Sequence, residues 1–123
     1  MDKDYQKQIF QSFWKGMVKL VVLHYASATP VYGGRLSKYL RDQGYEISPG
    51  TLYHLLHYLE RADLLKSRLK VGKGRAHKYY EMTVSGKTCL DEVRKQVGDM
   101  VREVFFEIAP ETKGTPAENQ EII

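Results

Sequence analysis

Residues 48–60 read Ser-Pro-Gly-Thr-Leu-Tyr-His-Leu-Leu-His-Tyr-Leu-Glu, and they predict an amphipathic helix. The hydroxyl of Ser48 can cap this helix, and Pro49 suits the first helical position because its missing N–H would have no partner there. Four leucines at helical spacing predict a buried stripe: Leu52, Leu55, Leu56 and Leu59. The opposite face is polar but uncharged, and it holds Gly50, Thr51, Tyr53, His54, His57 and Tyr58. Such a face suits a helix that lies against base edges and phosphate oxygens in a major groove.

A basic hairpin is predicted about five residues after this helix. Apolar and cationic residues alternate with the period of two that a half-buried strand requires: Leu65, Leu69 and Val71 against Lys66, Arg68 and Lys70. We therefore expect the apolar side chains to face the core and the cations to face solvent. The Gly-Lys-Gly run at residues 72–74 is expected to form the tip, and residues 77–82 are expected to return as the partner strand.

The rest of the chain is predicted to be mainly helical. Residues 5–25 form a helix that is apolar around most of its girth, Val31 and Tyr32 form a short strand, and residues 33–43 form a second helix that Gly44 ends. Thr83 caps a last helix, whose apolar residues recur at spacings of three and four. This order predicts an α+β, mainly helical fold: a winged helix-turn-helix with an N-terminal helix extension and a long C-terminal dimerisation helix.

Charge is distributed unevenly along the chain. The net charge is +4, but residues 35–78 hold ten basic and four acidic residues, a net +6. Six cations and no acid lie between residues 66 and 78: Lys66, Arg68, Lys70, Lys73, Arg75 and Lys78. This density is expected to attract a polyanion through counterion release, although a solvated hairpin is the alternative.

Composition limits the class of protein. At 123 residues with 42% hydrophobic content, the chain can bury one modest core, and it holds no apolar run of membrane-spanning length. Its start, Met-Asp-Lys-Asp, lacks a signal-peptide pattern, and Cys89 has no second cysteine with which to form an intrachain disulfide. We therefore expect a cytoplasmic protein. Residues 1–82 are predicted to form the DNA-binding domain, residues 83–108 the dimerisation helix and residues 109–123 a disordered acidic tail.

Several short motifs accompany this order of elements. They are Gly16 with Leu20 and Leu23, Val-Tyr-Gly at 31–33, Ile-Ser-Pro-Gly-Thr-Leu-Tyr at 47–53, Leu-Glu at 59–60 and Lys-Tyr-Tyr-Glu-Met-Thr-Val-Ser-Gly at 78–86. Together they resemble the PadR-like family of transcriptional regulators, in its short form with one C-terminal helix. The chain departs from the family pattern at Gly34, where an aromatic residue is common, and at His54, where proline is common. It departs again at Tyr58, where arginine is frequent, and at Asp63, where glycine usually ends the helix.

The resemblance implies a homodimer in which the first and last helices of two subunits cross. The apolar residues of these helices are the expected interface: Phe10, Phe13, Trp14, Leu90, Val93, Val97, Met100, Val101, Val104 and Phe105. Some members of the family hold an aromatic effector between these helices. Such a pocket would be lined here by Phe10, Trp14, Met17 and Phe105, unless these rings only fill the dimer core.

We interpret the chain as a sequence-specific DNA-binding regulator, a homodimeric repressor at a palindromic promoter site that a small aromatic effector could release. The predicted contacts to double-stranded DNA are Arg35, Lys38, Ser48, Gly50, Thr51, Tyr53, His54, His57, Lys73, Arg75, His77 and Lys78. The alternative is a winged helix that serves as a protein-interaction module. No catalytic motif is present, so we expect no enzymatic activity. We expect no cofactor and no metal site, because only two ligands, His54 and His57, share a helical face.

Overall fold

The computed structural model describes residues 3–109 and has the predicted winged-helix architecture. Its elements in chain order are α1 (Lys3–Ala28), β1 (Val31–Tyr32), α2 (Gly33–Asp42), α3 (Pro49–Arg61), β2 (Leu65–Gly72), β3 (Arg75–Met82) and α4 (Val84–Phe106). Within residues 3–109, none of the helices is both long enough and apolar enough to cross a membrane. The predicted acidic tail lies outside the described residues from residue 110 onward.

The three strands form one antiparallel sheet in the order β1-β3-β2. β2 pairs with β3 from Leu65 opposite Met82 to Gly72 opposite Arg75, so the turn consists of only two residues, Lys73 and Gly74. Both have positive φ, 52° and 78°, as a type I′ hairpin turn requires. The hairpin is therefore longer than predicted, because β3 begins at Arg75 and not at residue 77.

The core lies between the helices and the inner face of the sheet. The predicted leucine stripe of α3 is buried, as are Leu36 and Leu40 of α2 and Tyr80 of β3. The prediction was wrong for Leu69 and Val71, which are 72% and 75% exposed, whereas Leu65 on the same face is buried. After Ser67 the hairpin extends beyond the core, so this face of the strand is left in solvent.

The burial of Leu90 also corrects the predicted dimer interface. Its side chain is 1% exposed within the single chain and belongs to the hydrophobic core. It therefore has no surface left to offer a partner subunit. The chain divides into two compact units, the first ending at Leu90 and the second beginning at Asp91.

Hydrogen bonds define both ends of α3. The Ser48 hydroxyl oxygen accepts the Thr51 N–H at 3.2 Å, which confirms the predicted cap. At the other end, Asp63 takes a left-handed conformation with φ 61°. The Leu64 N–H then donates to the Leu59 carbonyl, and the Asp63 N–H to the Glu60 carbonyl, both at 3.0 Å. This is a Schellman ending, so aspartate performs here the role in which glycine is usual.

The start of α4 is fastened to the turn between α3 and β2. The Thr83 hydroxyl oxygen accepts the Gly86 N–H at 2.9 Å, as expected of a cap, and the Thr83 N–H donates to the Leu64 carbonyl at 3.1 Å. Gly86 lies so close to this turn that a Cβ there would be 2.1 Å from the Leu64 oxygen. The Thr-x-x-Gly motif is thereby explained: threonine makes the junction, and glycine allows the close approach.

Candidate nucleic-acid interface

The exposed face of α3 begins with a hydroxyl pair. Ser48 and Thr51 join their hydroxyls at 2.8 Å, while Gly50, Tyr53 and His54 are exposed. The Thr51 hydroxyl is thus engaged in the cap. Of the histidines predicted to contact DNA, His54 is exposed, whereas His57 and His77 are half-buried.

His57 is oriented differently from the sequence-based expectation. Its ring is half-buried, with its centroid 4.2 Å from that of Tyr53. Its Nε2 is buried and has no hydrogen-bond partner in the described part of the chain. Its ring therefore packs against Tyr53, with the buried Nε2 turned away from solvent.

Half of the wing's cations are paired with acids, which corrects the prediction of an uncompensated run. Lys66 and Arg68 both pair with Glu81, the former at 3.5 Å, and Lys78 pairs with Glu60 at 3.7 Å between Nζ and Oε1. The hydrogen bond from Arg68 lowers the pKa of Glu81. The two acids lie outside the stretch 66–78, and strand pairing and the packing of α3 bring them beside it.

The other three wing cations lie nearer the hairpin tip. Within residues 3–109, Lys70, Lys73 and Arg75 form no ion pair, and all three are exposed. The Lys70 ammonium lies 5.8 Å from the centroid of the Tyr79 ring. The tip of the hairpin is therefore the part of the wing whose cations have no acidic partner among the described residues.

Lys78 lies between the wing and α3. Its Nζ is 5.5 Å from the ring centroid of Tyr80, and the Tyr80 side chain raises the pKa of Lys78, an effect to which Glu60 adds. Burial raises the pKa of Tyr80 itself. Lys78 remains a cation at neutral pH, at the edge of the exposed face of α3.

The start of α2 supplies further polar groups. Tyr32 precedes the helix, and its side chain accepts no hydrogen bond from the backbone N–H groups of the first turn. The Arg35 guanidinium lies 5.8 Å from the centroid of the Tyr32 ring, and the His77 ring, tilted by 33°, has its centroid 4.6 Å from the same centroid. Lys38, in contrast, pairs with Asp42 at 3.1 Å on its own helix. Arg35 is therefore the better placed of the two predicted α2 contacts.

The aromatic residues of α1 have different surroundings. Phe10 and Phe13 are exposed, whereas Trp14 is half-buried and stacks on Tyr45 with ring centroids 4.2 Å apart. One face of the Trp14 ring is thus occupied within the chain. Met17, also assigned to the predicted effector pocket, is half-buried.

The apolar residues of α4 beyond Leu90 remain accessible to different degrees. Val93, Val97 and Val101 are half-buried, and the last turns expose Met100, Val104 and Phe105. The helix ends at Phe106, two residues earlier than predicted.

One contact of α3 was not anticipated from the sequence. The Nζ of Lys19 on α1 lies 4.3 Å from the ring centroid of Tyr58. No local pattern signals it, because the two residues lie on different helices that are distant in the chain. Among residues 3–109, no group of three or more His, Cys, Asp or Glu side chains is arranged to hold a metal ion.

Comparisons with known proteins agree with this fold. Residues 22–92 match the model of the Transcriptional regulator PadR-like family. The chain is 40% identical over 95 residues to the transcriptional regulator Rv3488 of Mycobacterium tuberculosis, covering 77% of this chain and 89% of that protein. The crystal structure of a PadR family transcriptional regulator from Eggerthella lenta superposes with a TM-score of 0.76 at 32% identity, covering 83% and 90% of the two chains. The crystal structure of a PadR-like regulator from Bacillus cereus superposes with a TM-score of 0.73 at 29% identity, covering 81% of this chain and 99% of that one.

Proposed function

The chain belongs to the PadR-like family of transcriptional regulators, and from this we propose that it binds duplex DNA as a homodimer and represses transcription at a palindromic promoter site. The observation that carries the proposal is the group of three unpaired wing cations, Lys70, Lys73 and Arg75, on the hairpin that follows a capped helix with a polar exposed face. A cation without an acidic partner contributes most to the binding free energy, because it gives up no existing ion pair when it contacts a phosphate.

The palindrome follows from the proposed dimer. A two-fold axis repeats α3 and the wing, and two α3 helices can enter successive major grooves when they lie about 34 Å apart. Apolar side chains left exposed on α1 and on α4 support dimerisation, because such surface is costly in water. Occupancy of a promoter site by the dimer would exclude polymerase, which is the basis for proposing a repressor.

The wing cations are expected to differ in their effect on DNA affinity. Replacing Lys73 and Arg75 by Ala removes four unpaired cations per dimer, so the slope of log K against log salt should become shallower by about 3.6. The matched control is Lys66→Ala, which removes a cation already paired with Glu81 and should change the slope much less. Fluorescence anisotropy with a labelled duplex at several salt concentrations measures the slope for each variant. An equal change in slope per cation removed, for the paired and the unpaired cations, would contradict this assignment.

The alternative function is a protein-interaction module that uses the same surface. It makes a different prediction, because contacts to a protein release no condensed counterions from DNA. A wild-type chain that shows no salt-dependent affinity for duplex DNA would favour this alternative.

Release by a small aromatic effector is a separate part of the proposal. Trp14 is the only tryptophan in the sequence and lies among the residues assigned to the effector pocket, so its fluorescence reports on ligands there. We expect a planar aromatic ligand to quench this emission saturably and to weaken DNA binding over the same concentration range. Quenching without any change in DNA affinity would contradict effector control.

A further inference from the structure

The exposed face of α3 lacks positive charge over most of its length. From Pro49 to Glu60 the helix contains no Lys or Arg, and the first cation on it is Arg61. A helix with its side chains is about 10–12 Å wide, and the major groove is about 12 Å wide, so both flanks of an inserted helix approach phosphates. Cations that meet those phosphates must come from elements beside α3.

The flank of α3 that carries Tyr53 has such a cation. Lys78 of β3 lines a surface cavity of about 240 Å³ together with Tyr53, and its exposed ammonium also pairs with Glu60 at 3.7 Å. This flank therefore has a tyrosine from α3 and a lysine from a neighbouring element.

The opposite flank repeats this arrangement with different partners. Tyr58 lies five residues after Tyr53, about 140° further around the helix axis, and its ring is 54% exposed. The Lys19 Nζ lies 4.3 Å from its centroid, within the range of a cation–π contact. Lys19 is exposed and has no acidic partner within residues 3–109. The ring thus holds a free cation at the edge of the face that would enter the groove.

We propose that Lys19 contacts the DNA backbone and that Tyr58 is the residue that positions it. The inference rests on the proposed DNA binding and extends the binding surface to α1, where no contact was predicted. The ring restricts the long lysine side chain to the flank of α3, which reduces the entropy lost when the ammonium meets a phosphate. On one flank of α3, α1 then supplies a lysine without an acidic partner among the described residues, opposite Lys78 of the wing, which pairs with Glu60.

A purely structural role for the pair makes a different prediction. If the Lys19–Tyr58 pair only joined α1 to α3, its removal would alter stability and would leave the number of counterions released on DNA binding unchanged. The slope of log K against log salt therefore separates the two roles.

The test measures the affinity of the full chain for a labelled duplex between about 50 and 300 mM salt. Lys19→Met should make the slope shallower by about 1.8 per dimer, because each phosphate that a lysine neutralises contributes about 0.9 to the slope. Lys7→Met is the matched control: Lys7 is an exposed α1 lysine with no aromatic ring over its ammonium within residues 3–109, and its replacement should leave the slope at the wild-type value. A wild-type slope for Lys19→Met would overturn the proposal while leaving DNA binding itself intact.

Variants of Tyr58 test the positioning role. Tyr58→Phe keeps the ring and should bind as the wild-type chain does, whereas Tyr58→Leu should weaken binding. In the Lys19→Met background, Tyr58→Leu should have no further effect, because the cation that it positions is absent. If Tyr58→Leu weakened binding equally in both backgrounds, Tyr58 would act on DNA directly, and the positioning role would be wrong. If the wild-type chain itself showed no salt-dependent binding, the proposed function would fail together with this inference.

Discussion

Gly86→Ala is expected to destabilise the protein by about 1 to 3 kcal/mol. The added methyl would lie 2.1 Å from the Leu64 carbonyl oxygen and 2.7 Å from the Met82 side chain. The backbone cannot readily yield, because Thr83 is hydrogen-bonded to the Asp63 and Leu64 carbonyls in the same turn. The expected cost is that of overpacking a fixed site, and it exceeds the gain of up to about 1 kcal/mol that alanine brings to a helix.

Gly98→Ala is the matched control on the same helix. A Cβ at Gly98 would meet only the end of the Arg102 side chain, at 3.7 Å, so the helix-forming advantage of alanine should raise stability by about 0.5 to 1 kcal/mol. Urea unfolding at one fixed protein concentration measures both variants, since the stability of a dimer depends on concentration. A Gly86→Ala protein as stable as Gly98→Ala would contradict the close approach of α4 to Leu64.

Met100→Asp is expected to dissociate the proposed dimer. Met100 is 61% exposed in the single chain, so the substitution should leave the folded subunit intact. In a symmetric interface it would bury two unpaired carboxylates, which costs several kcal/mol and lowers the dimerisation constant by roughly 100-fold or more. Sedimentation at micromolar concentration should give a molecular mass of about twice 14.2 kDa for the wild-type chain and of 14.2 kDa for the variant.

Val84→Asp controls for the charge itself. Val84 lies in the first turn of the same helix, is 85% exposed and lies outside the predicted interface. A carboxylate at a helix N-terminus is favourable, so this variant should remain folded and dimeric. A dimer that survives Met100→Asp would contradict the assignment of the α4 interface.

The sequence alone predicted α3 well because its signals are local. A capping serine, a proline at the first position and four leucines at helical spacing all act within the helix, and the structure confirms each of them. The hairpin was predicted less accurately. Alternation identifies the two faces of a strand, but it does not tell where the core ends, so Leu69 and Val71 were wrongly assigned to the interior.

Interactions between distant residues could not be predicted in this way. The acids that neutralise part of the wing, Glu60 and Glu81, belong to α3 and to the end of β3, so a count of charges between residues 66 and 78 missed them. The Lys19–Tyr58 contact joins two different helices, so no repeating spacing in the sequence predicts it. A stripe of apolar residues likewise does not distinguish a subunit's own core from a partner's surface, which is why Leu90 was assigned to the interface.

The most direct test of DNA binding is the salt dependence of the wild-type protein's affinity for duplex DNA. Lys70, Lys73 and Arg75 of two subunits provide six unpaired cations, which by themselves predict a slope of about −5 in log K against log salt, before any contribution from Lys19. Affinity should then fall roughly 1000-fold between about 50 and 200 mM salt. A slope near zero over this range would contradict the central claim that the wing and α3 form a DNA-binding surface.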